Sequence, residues 1–134
     1  MFIARAEYVE IYIPTGSTKQ VIQFPDLPNL RTAKLFGMEV YDVTTHGISL
    51  NGNAVQANAE ILDSVTTLYF DGGDFIQIPT VSLLRTDNAN YYGNIPEFMG
   101  QRVVWAKSYI TLTDVPNITS YANKSFVFNV YYKY

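Results

Sequence analysis

The sequence predicts an all-β fold: an antiparallel two-sheet sandwich of about eight strands, with jelly-roll topology preferred over an immunoglobulin-like one and at most one short helix. Two observations carry this. Aromatic residues make up 15% of 134 residues, with eleven Tyr, eight Phe and one Trp, and rings suit pleated, half-buried surfaces. These residues and the β-branched ones fall in short runs broken at uneven intervals by Pro, Gly, Asn and Asp.

In chain order, Phe2 to Ile13 is the first strand, closed by the turn Pro14-Thr15-Gly16-Ser17. Its apolar parity changes: Phe2, Ala4, Ala6 and Tyr8 share one face, and Val9, Ile11 and Ile13 share the other. Either a bulge lies near Glu7 to Val9 or both faces are covered. Lys19 to Phe24 is a short second strand, stopped by Pro25 and Pro28. Leu35 to Val43 is a third, with Phe36, Met38 and Val40 on one side and Glu39 on the other.

Ala54 to Val65 carries Ala54, Ala57, Ile61, Leu62 and Val65 at helical spacing, so it reads as a short helix or a loop. Thr66 to Phe70 is strand, and Asp71-Gly72-Gly73-Asp74 is a tight turn, since Asp-Gly and Gly-Gly accept the positive φ of hairpins. Phe75 to Leu84 is a strand or strand pair with Pro79 at an edge or bend. A long polar loop follows Arg85, holding Tyr91, Tyr92, Phe98 and Met99. Gln101 to Leu112 reads as the longest strand after the first, with Trp105 on it. The loop Asp114 to Asn123 leads to the terminal strand, where Phe126, Phe128, Val130, Tyr132 and Tyr134 share one face and Val127 and Tyr131 lie on the other.

Long uneven connections favour the jelly roll, because an immunoglobulin sandwich wants a Trp on its third strand and regular turn spacing. Residues 1–134 read as one domain, long enough to bury a core without staples. There is no cysteine, which excludes disulfides and thiolate metal sites. Net charge is −3 and only 16% of residues are charged, which argues against a nucleic-acid partner. No run approaches the ~20 apolar residues of a membrane-spanning helix. Met1 leads directly into FIARAEYVEIYI, so no secretion leader is read and a soluble protein is expected.

Candidate chemistry is sparse, and no catalytic or cofactor-binding residue is assigned. His46 is the only histidine; a Ser-His-Asp arrangement would need it with Ser49 or a distant serine, yet no nucleophile motif is present. Asp71 and Asp74, with Asp63, are the carboxylates that could gather around a hard cation, but the spacing is that of a hairpin turn. Glu7, Glu10 and Glu39 are candidates for paired carboxylates, although parity puts Glu7 and Glu10 on opposite faces. Asn117-Ile118-Thr119 and Asn123-Lys124-Ser125 match the glycosylation pattern and read as accidental without a leader. The cluster Tyr91, Tyr92, Phe98 and Met99 stands out. It reads as a sugar platform with Asn88 and Asn90, as a protein-contact surface, or as a loop capping the sandwich. Val127 and Tyr131 are expected to meet another subunit.

With its size, its strand count, its lack of cysteine, its start at MFIARAEYVEIYI and its finish at SFVFNVYYKY, the chain resembles the small single jelly-roll capsid proteins of icosahedral, tailless, membrane-containing bacteriophages, of the penton (vertex) or minor capsid type. The resemblance implies a non-enzymatic virion protein with no cofactor. It also implies self-association, as a pentamer at a vertex, and contacts with a major capsid protein and a spike. The alternative from a different class is a carbohydrate-binding module that uses the loop around Tyr91 and Tyr92.

Overall fold

The computed structural model describes residues 5–85 and 100–134. Nine strands form: β1 (Arg5–Ile13), β2 (Val21–Gln23), β3 (Lys34–Tyr41), β4 (Ala54–Val55), β5 (Ser64–Tyr69), β6 (Phe75–Pro79), β7 (Gln101–Arg102), β8 (Tyr109–Leu112) and β9 (Lys124–Lys133). Among the described residues one short α-helix, α1 (Asn58–Leu62), and several 3-10 turns join them. The first sheet runs β1-β9-β3-β7, with β4 lying against β9; the second runs β2-β8-β5-β6.

Leaving out the two-residue β4, the pairing is that of a rolled antiparallel ribbon. The first strand pairs with the last (β1 with β9), and the second with the second-last (β2 with β8). The third pairs with the third-last (β3 with β7), and the middle two form the β5–β6 hairpin. Folding that ribbon over brings β3 against β9 and β5 against β8, both antiparallel. This is the jelly roll, and it confirms the all-β sandwich. Among the described residues, parallel pairing is confined to β4 with Lys124 and Ser125 of β9, and to a single bridge between Val40 and Leu84.

The core lies between the sheets. Val9, Ile11, Met38, Val40, Phe126, Phe128 and Val130 from the first sheet meet Leu68, Ile78, Ile110 and Leu112 from the second. The Phe24 ring sits 5.3 Å from Phe128 and 5.4 Å from Trp105, the tilted arrangement that aromatic pairs prefer.

Several sequence expectations change. β1 pairs with β9 through nine consecutive residues without a break, so no bulge lies near Glu7 to Val9. Its parity change has another cause: Val9, Ile11 and Ile13 are buried, whereas Ala6 and Tyr8 face outward and are exposed. The register shift occurs in β3 instead, between Leu35 and Gly37. Because of it Leu35 and Met38 both reach the core and Phe36 leaves the apolar row. Helical spacing in Ala54 to Val65 yields only the five residues of α1, since β4 and β5 take the flanks. The run from Phe75 ends as a strand at Pro79 and continues as a 3-10 turn through Leu83.

The expected long strand Gln101 to Leu112 is two strands in different sheets, joined by a 3-10 turn at Trp105–Lys107. Alternation cannot reveal this crossover, because Val103 and Trp105 remain buried through the turn. Ser108 stabilises it: its hydroxyl donates to the Val104 carbonyl at 3.0 Å and accepts from the Tyr69 N–H at 3.1 Å. Tyr91, Tyr92, Phe98 and Met99, with Asn88 and Asn90, lie outside the described residues. No helix among the described residues is long and apolar enough to cross a membrane.

Candidate functional site

Alternation along β1, β9 and β3 sets two cross-strand rows on the outer face of the first sheet. Tyr8, Asn129 and Glu39 form one; Glu10, Val127 and Tyr41 form the next. Over the β9–β3 part of this face lies the segment between β3 and α1. It begins with a turn at Asp42, whose Oδ1 accepts from the N–H groups of Thr44 and Thr45 at 3.1 and 3.0 Å and from both hydroxyls at 2.7 and 3.0 Å. Burial works against ionisation of Asp42, but these donors outweigh it and hold the carboxyl below its usual range. Val55 then packs with Tyr41 and Val127 as a small second core.

Glu10 fastens this cover. Its carboxylate accepts from the Asn51 N–H at 3.1 Å, the Ser125 hydroxyl at 3.0 Å and the Asn53 side chain at 3.4 Å. Desolvation pushes its pKa up, yet these donors bring the net shift down. Ser49 contributes to the same cluster, and its hydroxyl also accepts from the Asn53 N–H at 3.1 Å. His46 lies in the cover with its ring 5.4 Å from Tyr41 and 6.0 Å from Tyr8. Both are therefore parts of a loop packed on a sheet.

Beside the cover, Glu39 is only 2% exposed. Tyr131 donates its hydroxyl to Glu39 Oε1 at 3.3 Å and accepts from Asn129 Nδ2 at 2.9 Å. Arg85 Nη1 lies 3.6 Å from Glu39 Oε2, donates to the Tyr41 hydroxyl at 2.7 Å, and its guanidinium sits over the Tyr41 ring. Burial pushes Glu39 above the usual carboxylate range despite the cation beside it. Burial and the Tyr8 hydrogen bond push Tyr41 up to about 12. An enclosed, paired carboxylate of this kind holds elements together; it does not line either of the clefts described below.

The arrangement corrects the expectation for the second face of the terminal strand. Val127 is fully buried and Tyr131 nearly so within this chain, so neither is a surface that a neighbouring subunit could reach. Val55 of the cover takes that place over Val127, and Tyr131 is bonded to Glu39 and Asn129.

Glu7 stands on the inward parity of β1, opposite Val130. Its Oε2 is buried without a hydrogen-bond partner. Glu7 and Glu10 thus occupy opposite faces, as parity predicts, and form no catalytic pair.

An open cleft of about 320 Å³ lies elsewhere, at the turn after β5. Asp26 and Arg31 form an ion pair on one side, and Arg102 and Asp71 approach to 4.0 Å on the other, with Val103 and Trp105 among the lining. All four charged groups are half-exposed or more, which makes such pairs worth little. Asp71 and Asp74 act as hairpin residues: the Phe70 N–H donates to the Asp74 carbonyl at 2.8 Å, and Gly73 takes φ 91°. No group of three metal-ligating side chains occurs among the described residues. The outer-face network escaped the sequence reading because its members come from distant segments, and the Asp26–Arg31 side of the cleft because the two residues form no motif. A second cleft, of about 400 Å³, opens between the ends of β1 and β2, with Tyr12, Val21 and Ile22 on its walls.

No family model, no curated protein and no solved structure matches the chain.

Proposed function

We propose that the protein is a non-catalytic building block of a virion, a jelly-roll capsid component of the penton or minor capsid type that associates with itself and with a major capsid protein. The observation that carries this reading is the rolled-ribbon pairing of β1 with β9, β2 with β8, β3 with β7 and β5 with β6. That topology recurs in capsid, lectin and cupin domains. Cupin chemistry needs metal ligands inside the barrel, whereas His46 is packed on the outer face against Tyr8 and Tyr41. Two carboxylates are spent on fastening one surface: Glu10 holds the loop over β9, and Glu39 is sealed behind Arg85. A loop fastened over one sheet face suits a block that must keep its shape among neighbours.

The test is native mass spectrometry of the purified chain, alone and with a candidate major capsid protein, beside a glycan array. Self-association or co-assembly without glycan affinity is expected. A monomer at every concentration that binds a glycan and no capsid protein would replace this reading with a carbohydrate-binding module.

A further inference from the structure

We propose that the free edge of β1 pairs antiparallel with β1 of a second copy, about a two-fold axis through Val9. The contrast among the sheet edges points there. Exposed edges invite pairing, and proteins blunt them by shortness, Pro, bulges or a covering segment. β2 has three residues and β7 two, and β6 ends at Pro79. β1 has nine, with no Pro, Gly or bulge, and no described strand pairs with its outer side.

The backbone shows which groups are available. The Ser125 carbonyl accepts from the Gln56 N–H on the β4 side, so Ser125 turns its hydrogen-bonding groups away from β1. Its partner is Tyr12. Antiparallel ladders alternate between bonded and non-bonded pairs, so the odd residues of β1 bond to β9. The N–H and C=O groups of Ala6, Tyr8, Glu10 and Tyr12 then point out at the edge, and no described residue bonds them.

Charge and count select the register. With Glu7 or Glu10 on the axis, a carboxylate faces its own copy, which is unfavourable. With Tyr8 on the axis, only Ala6, Tyr8 and Glu10 find partners within the described residues of β1. With Val9 on the axis, Ala6 meets Tyr12 and Tyr8 meets Glu10 of the other copy. All four outward residues are then bonded, and no like charges oppose. Apolar surface stands ready beside the seam: Tyr8 is 46% and Tyr12 39% exposed, and Ile48 and Leu50 protrude from the loop that Glu10 fastens. The contact deepens the building-block reading by naming its self-interface, and it fits the minor capsid form, since a five-fold ring has no two-fold seam.

The chain lacks cysteine, so introduced thiols are unique. Ala6→Cys and Tyr12→Cys proteins are treated with a short bismaleimide, separately and mixed. In the Val9-centred register the unlike pair is adjacent, whereas like residues lie about 20 Å apart. Covalent dimers in the mixture alone are expected, and Tyr8→Glu, which sets a second carboxylate opposite Glu10 of the other copy, should weaken the dimer of the otherwise unaltered chain at least about tenfold. Cross-linking of either variant with itself would overturn the register. An oligomer indifferent to Tyr8→Glu and without the mixed product would overturn the β1 contact and leave the building-block reading standing. A wild-type monomer would overturn the contact, and glycan affinity in that monomer would overturn the reading as well.

Discussion

β1 and β9 are neighbours in one sheet, similar in length and both rich in Tyr and β-branched residues, yet they are solvated differently. β9 lies between β1 and β3, and Ser125 to Tyr131 is buried without interruption: the opposite sheet covers the core side, and on the outer side the segment after β3 covers Ser125 and Val127 while Tyr131 is tied to Glu39 and Asn129. β1 is an edge strand with one buried face; its outward tyrosines are half in water. The difference arises from where the cover lies. Alternation records which residues share a face, and the tertiary neighbour decides whether that face meets protein or solvent.

The largest effect should separate the two strands directly. Phe128→Ala removes a ring from the centre of the core and should cost about 4 kcal/mol in urea unfolding. Tyr8→Ala in β1, which loses only its contacts with Tyr41 and His46, should cost the isolated chain about 1 kcal/mol. A cost for Tyr8→Ala near that of Phe128→Ala would dissolve the contrast. Next comes the seal over β9: Arg85→Ala leaves Glu39 buried beside no cation and should destabilise by about 3 kcal/mol. The double change Arg85→Ala with Glu39→Gln should recover part of that loss, as a double-mutant cycle would show.

The turn that launches the cover has a pH signature. The Asp42 carboxyl is held below its ordinary value of 3.8, so its ionised form contributes stability that is present above that value and lost as pH falls through the lower folded one. Asp42→Asn should therefore cost about 2 kcal/mol at neutral pH, with the deficit closing in acid, read from unfolding midpoints across pH. Glu39 runs in the opposite sense: its raised pKa means that ionisation costs stability as pH rises through 4.5 and above. The smallest effect sharpens the comparison from the β1 side. Glu7 turns a carboxylate oxygen inward without a hydrogen bond, so Glu7→Val should stabilise the chain by about 1 kcal/mol in thermal or urea melts.

Much of the sandwich was legible because period-two rows report faces. The Val9-Ile11-Ile13 row, the Phe126-Phe128-Val130 row and the hairpin at Asp71 to Asp74 all stand where alternation and turn chemistry place them. What failed involved residues buried regardless of parity. Trp105 and Val103 remain in the core while the chain changes sheets, so a continuous apolar run concealed a crossover. Phe36 left its row because of a shift between Leu35 and Gly37 that no single residue announces. The paired carboxylate at Glu39 was invisible, since its cation comes from Arg85 and its hydroxyl donor from Tyr131. Ser49, Asn51 and Asn53 looked like loop filler, and only the fold reveals that Glu10 gathers them.

The placement of β9 also sets a timetable. Arg5 pairs with Tyr132 and Lys34 with Lys133, so a ribosome must deliver residue 133 before the sheet joining β1 to β3 can close. Until then β1 and most of β3 wait without their shared partner, and the loop to be closed spans nearly the whole chain, a recipe for slow, late-committing folding. Nascent chains arrested before Lys124 should thus stay open to proteases, whatever the length already made.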